Sequence, residues 1–373
     1  MRVVVPREIK DGEKRVALVP DVINKLTRLG LDVVIESGAG LHAQAADADF
    51  KAAGATISDS EVLSTADAVL SVAPLTPAQM SKLKKGAITV SFLSPVTAVD
   101  SIDAATNAGV TAFSLELVPR ISRAQSMDAL TSQALCAGYR AVLVGAEMSP
   151  RFFPMLMTAA GTVTPAQVLV LGAGVAGLQA IATARRLGAV VSAYDVRPAS
   201  ADEVRSMGAT FIELELESLE GAGGYAREMT EDRAAKQREL LTPFIAKSHI
   251  VITTAAVPGR QAPRLMTQVM VDSMGPGTVI VDLAAETGGN VEGSKPGEIV
   301  TTSGGVKIWG GKDVPSQLPF HASFLYSRNV VNLLTLFTKA AKEGEAAAFD
   351  LNFEDEIING AAVTHGGSRR GAK

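Results

Sequence analysis

Residues 167–197 read QVLVLGAGVAGLQAIATARRLGAVVSAYDVR. A short apolar run, QVLVL, breaks at Gly172, Gly174 and Gly177; an alanine-rich stretch with helical spacing follows, and a second apolar run ends at Asp195. Strand, glycine turn, helix and strand in this order form one βαβ unit with a G-x-G-x-x-G turn. Each glycine has a physical task. Gly172 permits a tight turn, Gly174 lets the backbone approach a pyrophosphate, and Gly177 lets helix and strand pack closely, while the helix N-terminus offers unpaired N–H groups and the positive end of its dipole. Asp195 lies 18 residues after Gly177, where its carboxylate can accept hydrogen bonds from both ribose hydroxyls. A carboxylate there repels a 2′-phosphate, which favours NAD(H) over NADP(H), with Arg197 two residues on as the counterweight. The glycines alone would fit a plain turn; strand, helix and acid in place make the dinucleotide reading specific.

The same grammar extends in both directions. Upstream, β-rich runs at residues 2–5, 32–35, 66–73, 88–93 and 110–118 alternate with amphipathic stretches at 21–29 and 77–85. Downstream of a helical stretch at 129–148, further runs at 167–171, 190–196, 209–214, 250–255, 278–283 and 306–309 form a second series. The fold class is therefore α/β: two Rossmann-like domains with parallel sheets, joined by long helices. A helical run at 324–342 crosses back and makes the first domain discontinuous, giving residues 1–128 plus 325–373 and residues 129–324. Residues 343–373 read as polar and weakly periodic.

Composition excludes several functions. A length of 373 residues favours two cores, and a net charge of −4 offers no basic face, so no nucleic-acid partner is expected. One cysteine, Cys136, permits no internal disulfide and fits a reducing compartment. No metal site is expected. MRVVVPREIK is too short an apolar run for a signal peptide. Residues 152–184 carry no charge and are long enough to span a bilayer, but Pro154, Gly161, Pro165 and the three fingerprint glycines break the run into helix end, loop, strand and helix. No direct membrane insertion follows.

Functional loops belong at the carboxyl ends of parallel strands. Residues 119–133, PRISRAQSMDALTSQ, follow the run FSLELV and crowd arginines, an aspartate, glutamines and hydroxyls together without His, Cys or Lys. TTAAVPG at 253–259 and DLAAETGGN at 282–290 fall where the rim of a dinucleotide site belongs. Tyr225 sits on a glycine hinge, Gly221 to Gly224, and suits a flap that closes over bound nucleotide.

PRISRAQSMD, the fingerprint with DVR, AGGYAREM, TTAAVPG, VDLAAETGGN, DVPS and RNVVNLL together resemble the NAD(H)-binding component of proton-translocating nicotinamide nucleotide transhydrogenase. The resemblance runs from PREIKDGEKRVALVP at residue 6 to about Asn332. It implies an NAD(P)+ transhydrogenase, proton-translocating and Si/Re-specific, in which this chain binds NAD(H) and exchanges hydride with NADP(H) held on a partner subunit. It also implies a homodimer, NADP(H)-binding and membrane-spanning partner subunits, and a cytoplasmic, peripheral position on the inner face of a bacterial inner membrane. Direct transfer of hydride between two nicotinamide rings protonates no alcohol or amine. Positioning supplies the catalysis instead, and can contribute about 7–11 kcal/mol of the barrier. By resemblance Arg120, Gln125 and Asp128 act by positioning: Arg120, Asp128 and Thr131 hold the carboxamide and Gln125 reaches toward the partner's nucleotide. Thr131 stands where the family usually has Ser. Further implied cofactor contacts are Ile121, Ser122, Arg123, Ser126, Met127, Val175, Val196, Arg197, Gly224, Tyr225, Gln237 and Ala256, beside Gly172, Gly174, Gly177 and Asp195.

Alanine dehydrogenase shares the opening pattern. Arg15 in GEKRVALVP would grip a substrate carboxylate there, but that enzyme also needs a Lys and a His. At the matching places this chain has Ser71 in AVLSVAP and the run SFLSP at 91–95, and His42, His249, His321 and His365 lie elsewhere. A redox-sensing regulator that binds NAD(H) without catalysis would leave residues 120–133 without a task.

Overall fold

The computed structural model describes residues 1–59, 62–216, 230–257, 260–342 and 345–370. The chain divides into two compact units, Met1–Gln133 with Pro315–Lys373, and Ala134–Val314.

The first unit holds six strands: β1 (Arg2–Val5), β2 (Asp32–Glu36), β3 (Thr56–Ser58), β4 (Ala68–Leu70), β5 (Ile88–Ser91) and β6 (Thr111–Ser114). They pair in parallel in the order β3-β2-β1-β4-β5-β6. Alternate side chains serve opposite faces. Val3, Val5, Ile35, Leu70 and Val90 join one core with Tyr326, Val330 and Leu334 of the helix Pro319–Leu336, while Val4, Val34, Val69 and Ala112 join the other with Met80 and Ile102. Burial on both faces is what makes these strands read as unbroken valine and isoleucine runs.

The second unit carries a hairpin, β7 (Leu156–Thr158) and β8 (Gly161–Val163), then β9 (Gln167–Leu171), β10 (Val190–Tyr194), β11 (Thr210–Phe211), β12 (Ile250–Thr253), β13 (Val279–Asp282), β14 (Ile299–Thr301) and β15 (Lys307–Gly310). The large sheet runs β11-β10-β9-β12-β13-β15-β14, parallel except where β14 meets β15. Strand order reverses at β9, whose neighbours are β10 and β12, so the crevice for a ligand opens past the ends of β9 and β12. Val168 and Val170 face one core and Leu169 and Leu171 the other. The expected α/β class with two parallel sheets is what the chain adopts.

Four details differ from the sequence reading. The run at 110–118 stays extended only to Ser114; residues Leu115–Leu117 form a 3-10 turn, because the Glu116 carboxylate accepts from the N–H groups of Leu93 and Ser94 at 3.0 and 2.8 Å. Residues 156–163, read as loop, are the hairpin, with its apolar side chains exposed. The helix placed at 324–342 starts earlier, at Pro319, and stops at Leu336, after which Thr338–Lys339 pairs with Ala348–Phe349. Residues 343–373 are not merely polar: Ala347, Ile357, Ile358, Ala361 and Ala362 belong to the first unit's core. Their helix, Glu356–Ala361, has six residues, too few to display a period.

Candidate functional site

In the second unit the fingerprint folds as its residue types require. Gly172 has φ +103°, a conformation that penalises a Cβ, and its N–H donates to the carbonyl of Tyr194 at 2.8 Å. Gly174 caps the helix Val175–Arg186, and open space lies where a Cβ would stand. At Gly177 a Cβ would fall 1.8 Å from the carbonyl oxygen of Gly172, so strand and helix approach as closely as glycine alone allows. Thr254 ties the next loop to this turn, donating from Oγ1 to the same carbonyl at 3.0 Å. Val175 is partly exposed in the first helical turn. The helix start thus presents free N–H groups around a vacant Cβ position, which fits a pyrophosphate.

Asp195, just past the end of β10, is 9% exposed. Its Oδ2 accepts from the N–H of Ala173 at 2.7 Å, inside the fingerprint, and its Oδ1 from the N–H of Arg197 at 2.9 Å. The Arg197 guanidinium adds a fork, Nε to Oδ1 at 2.9 Å and Nη2 to Oδ2 at 3.0 Å. Val196 is half-buried and Ala256 exposed. Gln237 is buried, its Oε1 accepting from the Tyr194 hydroxyl at 3.1 Å. Burial pushes that phenol up to about 12. Gly224, Tyr225 and the expected flap lie outside the described residues, as do Pro258 and Gly259 of the TTAAVPG run.

Two residues without an assigned role in the sequence reading hold the rim together. The fully buried Asp282 accepts from Thr253 Oγ1 and from the N–H groups of Ala284, Asn290 and Val291. Asn290 accepts from the N–H of Ala255 at 3.0 Å and donates to the carbonyls of Ala255 and Pro263, both at 2.8 Å. The loops after β12 and β13 are therefore one hydrogen-bonded body. That DLAAETGGN follows a strand was legible; that its last residue is a splint was not.

In the first unit, residues Ser122–Met127 form a 3-10 helix that leads into the helix Ala129–Met148. Ala124 and Met127 are buried and anchor it in the core, with Ile121 packed alongside. Arg120, Ser122, Arg123, Gln125 and Ser126 are exposed. Asp128 caps the long helix: its carboxylate accepts from the N–H of Thr131 at 2.9 Å and from Thr131 Oγ1 at 2.7 Å. Asn329 and Asn332 of the helix Pro319–Leu336 both donate to the carbonyl of Ser126, at 2.9 and 3.1 Å. Arg123 forks onto Asp355 at 2.6 and 3.1 Å. That bond holds the Asp355 carboxyl below its usual range and the guanidinium above its own. RNVVNLL entered the sequence reading only as a family motif, without this supporting role, and Asp355 lies in a segment without pattern.

The first unit also has an open pocket of about 310 Å³ at its own strand-order reversal, lined in part by Lys10, Glu13, Arg15, Phe92 and Ser94. Arg15 is already engaged: Nε and Nη2 bind both oxygens of Glu13 at 2.8 and 2.6 Å, and Nη1 binds Gln133 at 2.8 Å. Burial pushes the Glu13 carboxyl up, and the Arg15 bonds outweigh it and leave it lowered. Burial raises nearby Glu8 to about 7 despite the N–H groups of Val72 and Ala73 it accepts from. Ser71 spends its hydroxyl on the carbonyl of Ala73. Among the described residues no histidine lines this pocket.

Comparison with known proteins places these features. Residues 4–137 match the family model "Alanine dehydrogenase/PNT, N-terminal domain" and residues 141–370 its C-terminal counterpart. A relative in Rhodospirillum rubrum, named as an NAD(P) transhydrogenase subunit alpha polypeptide, is 47% identical over 99% of this chain and 97% of its own. A solved transhydrogenase from Sinorhizobium meliloti superposes with a TM-score of 0.90 at 45% identity, covering 99% of this chain and 100% of that one. A solved L-alanine dehydrogenase superposes at 0.80 with 25% identity, covering 99% and 96%. The chain therefore belongs to the alanine dehydrogenase/PNT family, on the side of its NAD(P) transhydrogenase alpha subunits.

Proposed function

We propose that this chain is the NAD(H)-binding subunit of a proton-translocating, Si/Re-specific transhydrogenase and exchanges hydride between its own NAD(H) and NADP(H) held on a partner subunit. When bound, the two nicotinamides supply the chemistry: one ring loses a hydrogen with its electron pair and the other gains it, leaving no proton to dispose of. The chain's residues bind and orient. Gly172, Gly174, Val175 and Gly177 take the pyrophosphate and Asp195 the adenosine ribose, with Arg197 beside that carboxylate; Val196, Gly224, Gln237 and Ala256 are further cofactor contacts, and Tyr225 belongs to the closing loop. Arg120, Asp128 and Thr131 hold the carboxamide, Ile121, Ser122, Arg123, Ser126 and Met127 shape that loop, and Gln125 reaches for the partner's nucleotide.

The observation that carries this reading is the build of residues 120–131. A cluster of exposed polar side chains is pinned by Asn329, Asn332, Asp355 and Thr131; it contains no His, Cys or Lys, and its one carboxylate, Asp128, is engaged by the N–H and hydroxyl of Thr131. The naming of its relatives as alpha subunits supports partner subunits. A homodimer is supported by the exposed apolar side chains Phe152, Met155 and Met157 in and beside the β7–β8 hairpin. Among the described residues no helix is long and apolar enough to cross a membrane; the proposed attachment is peripheral, on the cytoplasmic face, through those partner subunits.

The alternative, an amino-acid dehydrogenase, rests on the likeness to L-alanine dehydrogenase. It meets an arginine already neutralised by Glu13 and a serine at residue 71 where that chemistry wants a base. One assay separates the two. The chain mixed with NADH and an NADP-loaded partner domain is expected to form NADPH only when both proteins are present. Oxidation of alanine by the chain alone, without partner-dependent NADPH, would overturn the proposal.

A further inference from the structure

The carboxylate assigned to the adenosine ribose is already fully bonded. A carboxylate offers about four acceptor positions, two on each oxygen. On Asp195 the N–H of Ala173 and Nη2 of Arg197 fill Oδ2, while the N–H and Nε of Arg197 fill Oδ1. Two of these donors are backbone groups fixed by the fingerprint turn and by the end of β10. The other two belong to one side chain, which is 24% exposed while the Asp195 side chain is 6% exposed. The guanidinium therefore occupies one position on each oxygen, the same demand that a ribose diol makes.

We propose that Arg197 is the specificity-determining residue of this subsite: in the free protein it stands in for the ribose hydroxyls, and NAD(H) binds by exchanging the guanidinium fork for two O–H bonds. This inference rests on the proposed ribose role of Asp195 and deepens it. The charges set what the exchange favours. With the fork in place the pair is close to neutral, and a cation beside the diol position attracts a 2′-phosphate. With the fork displaced, the bare carboxylate repels that phosphate. Arg197 thus opposes NAD(H), whose diol must evict it, and favours a 2′-phosphorylated dinucleotide, which can pair with it. The aspartate alone would discriminate more sharply than the pair does.

Calorimetric titration of the full chain with NADH and, by competition, with NADPH tests this. Arg197→Met keeps the stem and removes the fork; its Kd for NADH is expected to fall roughly 3- to 10-fold and its Kd for NADPH to rise at least about 3-fold. Arg197→Lys, which cannot span both oxygens, is expected to lie between. Opposite shifts for the two ligands are not what a merely loosened loop produces. Weaker NADH binding by Arg197→Met, or shifts of the same sign for both ligands, would overturn the inference. The companion variant Asp195→Asn separates the two levels. If it weakens NADH binding several-fold while Arg197→Met also weakens it, the ribose assignment stands and the inference fails; if Asp195→Asn leaves NADH affinity unchanged, the ribose assignment fails and the inference with it.

Discussion

A Gly177→Ala chain is expected to lose NADH binding and to melt at markedly lower temperature, whereas Gly174→Ala is expected to lose NADH binding while melting like the parent. The two glycines sit three residues apart and fail for different reasons. At Gly177 the added methyl would lie 1.8 Å from the carbonyl oxygen and 2.8 Å from the carbonyl carbon of Gly172. Both are backbone atoms, held by the N–H of Gly172 on Tyr194 and by Thr254 Oγ1 on that same carbonyl. Neither can swing aside as a side chain would. The helix Val175–Arg186 must back away from β9, which opens the core at Ala180, Ile181 and Ala184; a cost of about 3 kcal/mol or more follows. At Gly174 the backbone is extended, at φ −76° and ψ −170°, and a Cβ meets nothing within 4 Å. The fold tolerates the methyl, but it occupies the space into which the first N–H groups of the helix point. Affinity for NADH is expected to fall by roughly two orders of magnitude, about 2.7 kcal/mol. Thermal melts beside titrations read both effects, and a Gly174→Ala chain that binds NADH normally would remove the pyrophosphate from this turn.

Asp128→Ala is expected to slow hydride transfer to the partner's nucleotide by roughly 10²-fold while changing the Kd for NADH by less than about tenfold. The side chain has two duties. It caps the helix Ala129–Met148 through the N–H and hydroxyl of Thr131, and losing that cap costs about 1 kcal/mol. In the proposed site it also aims the carboxamide, so its loss frees the ring to rotate in a reaction that depends on alignment. Because the proposed site places most binding contacts with the phosphate and ribose, affinity is expected to be less sensitive than rate. Single-turnover measurement of NADPH formation separates the two, and a rate within twofold of the parent would take Asp128 out of the positioning set.

Much of this was legible in the chain. Strands such as Val3 to Val5 and Ile250 to Ile252 are buried on both faces, so their apolar runs have no polar interruption to obscure them. The fingerprint was legible because backbone approach imposes glycine, a requirement that no other residue type meets. What stayed hidden depends on contacts distant in sequence. Glu116 ends an apolar run early by reaching back to Leu93 and Ser94, and no local pattern announces that. Asp355 grips Arg123 from 232 residues away, in a segment whose helix is too short to show a period. Arg15 reads as a carboxylate clamp in sequence, and only folding shows that Glu13, two residues before it, has already claimed it.

In the proposed reaction hydride passes directly between two nicotinamides, without a proton relay through this chain. NADH bearing deuterium at the transferred C4 position, mixed in ordinary water with this chain and an NADP-loaded partner, tests this. The product NADPH is expected to keep the label in full, and to carry no deuterium when unlabelled NADH reacts in heavy water. Solvent hydrogen at the C4 position of the product would contradict it.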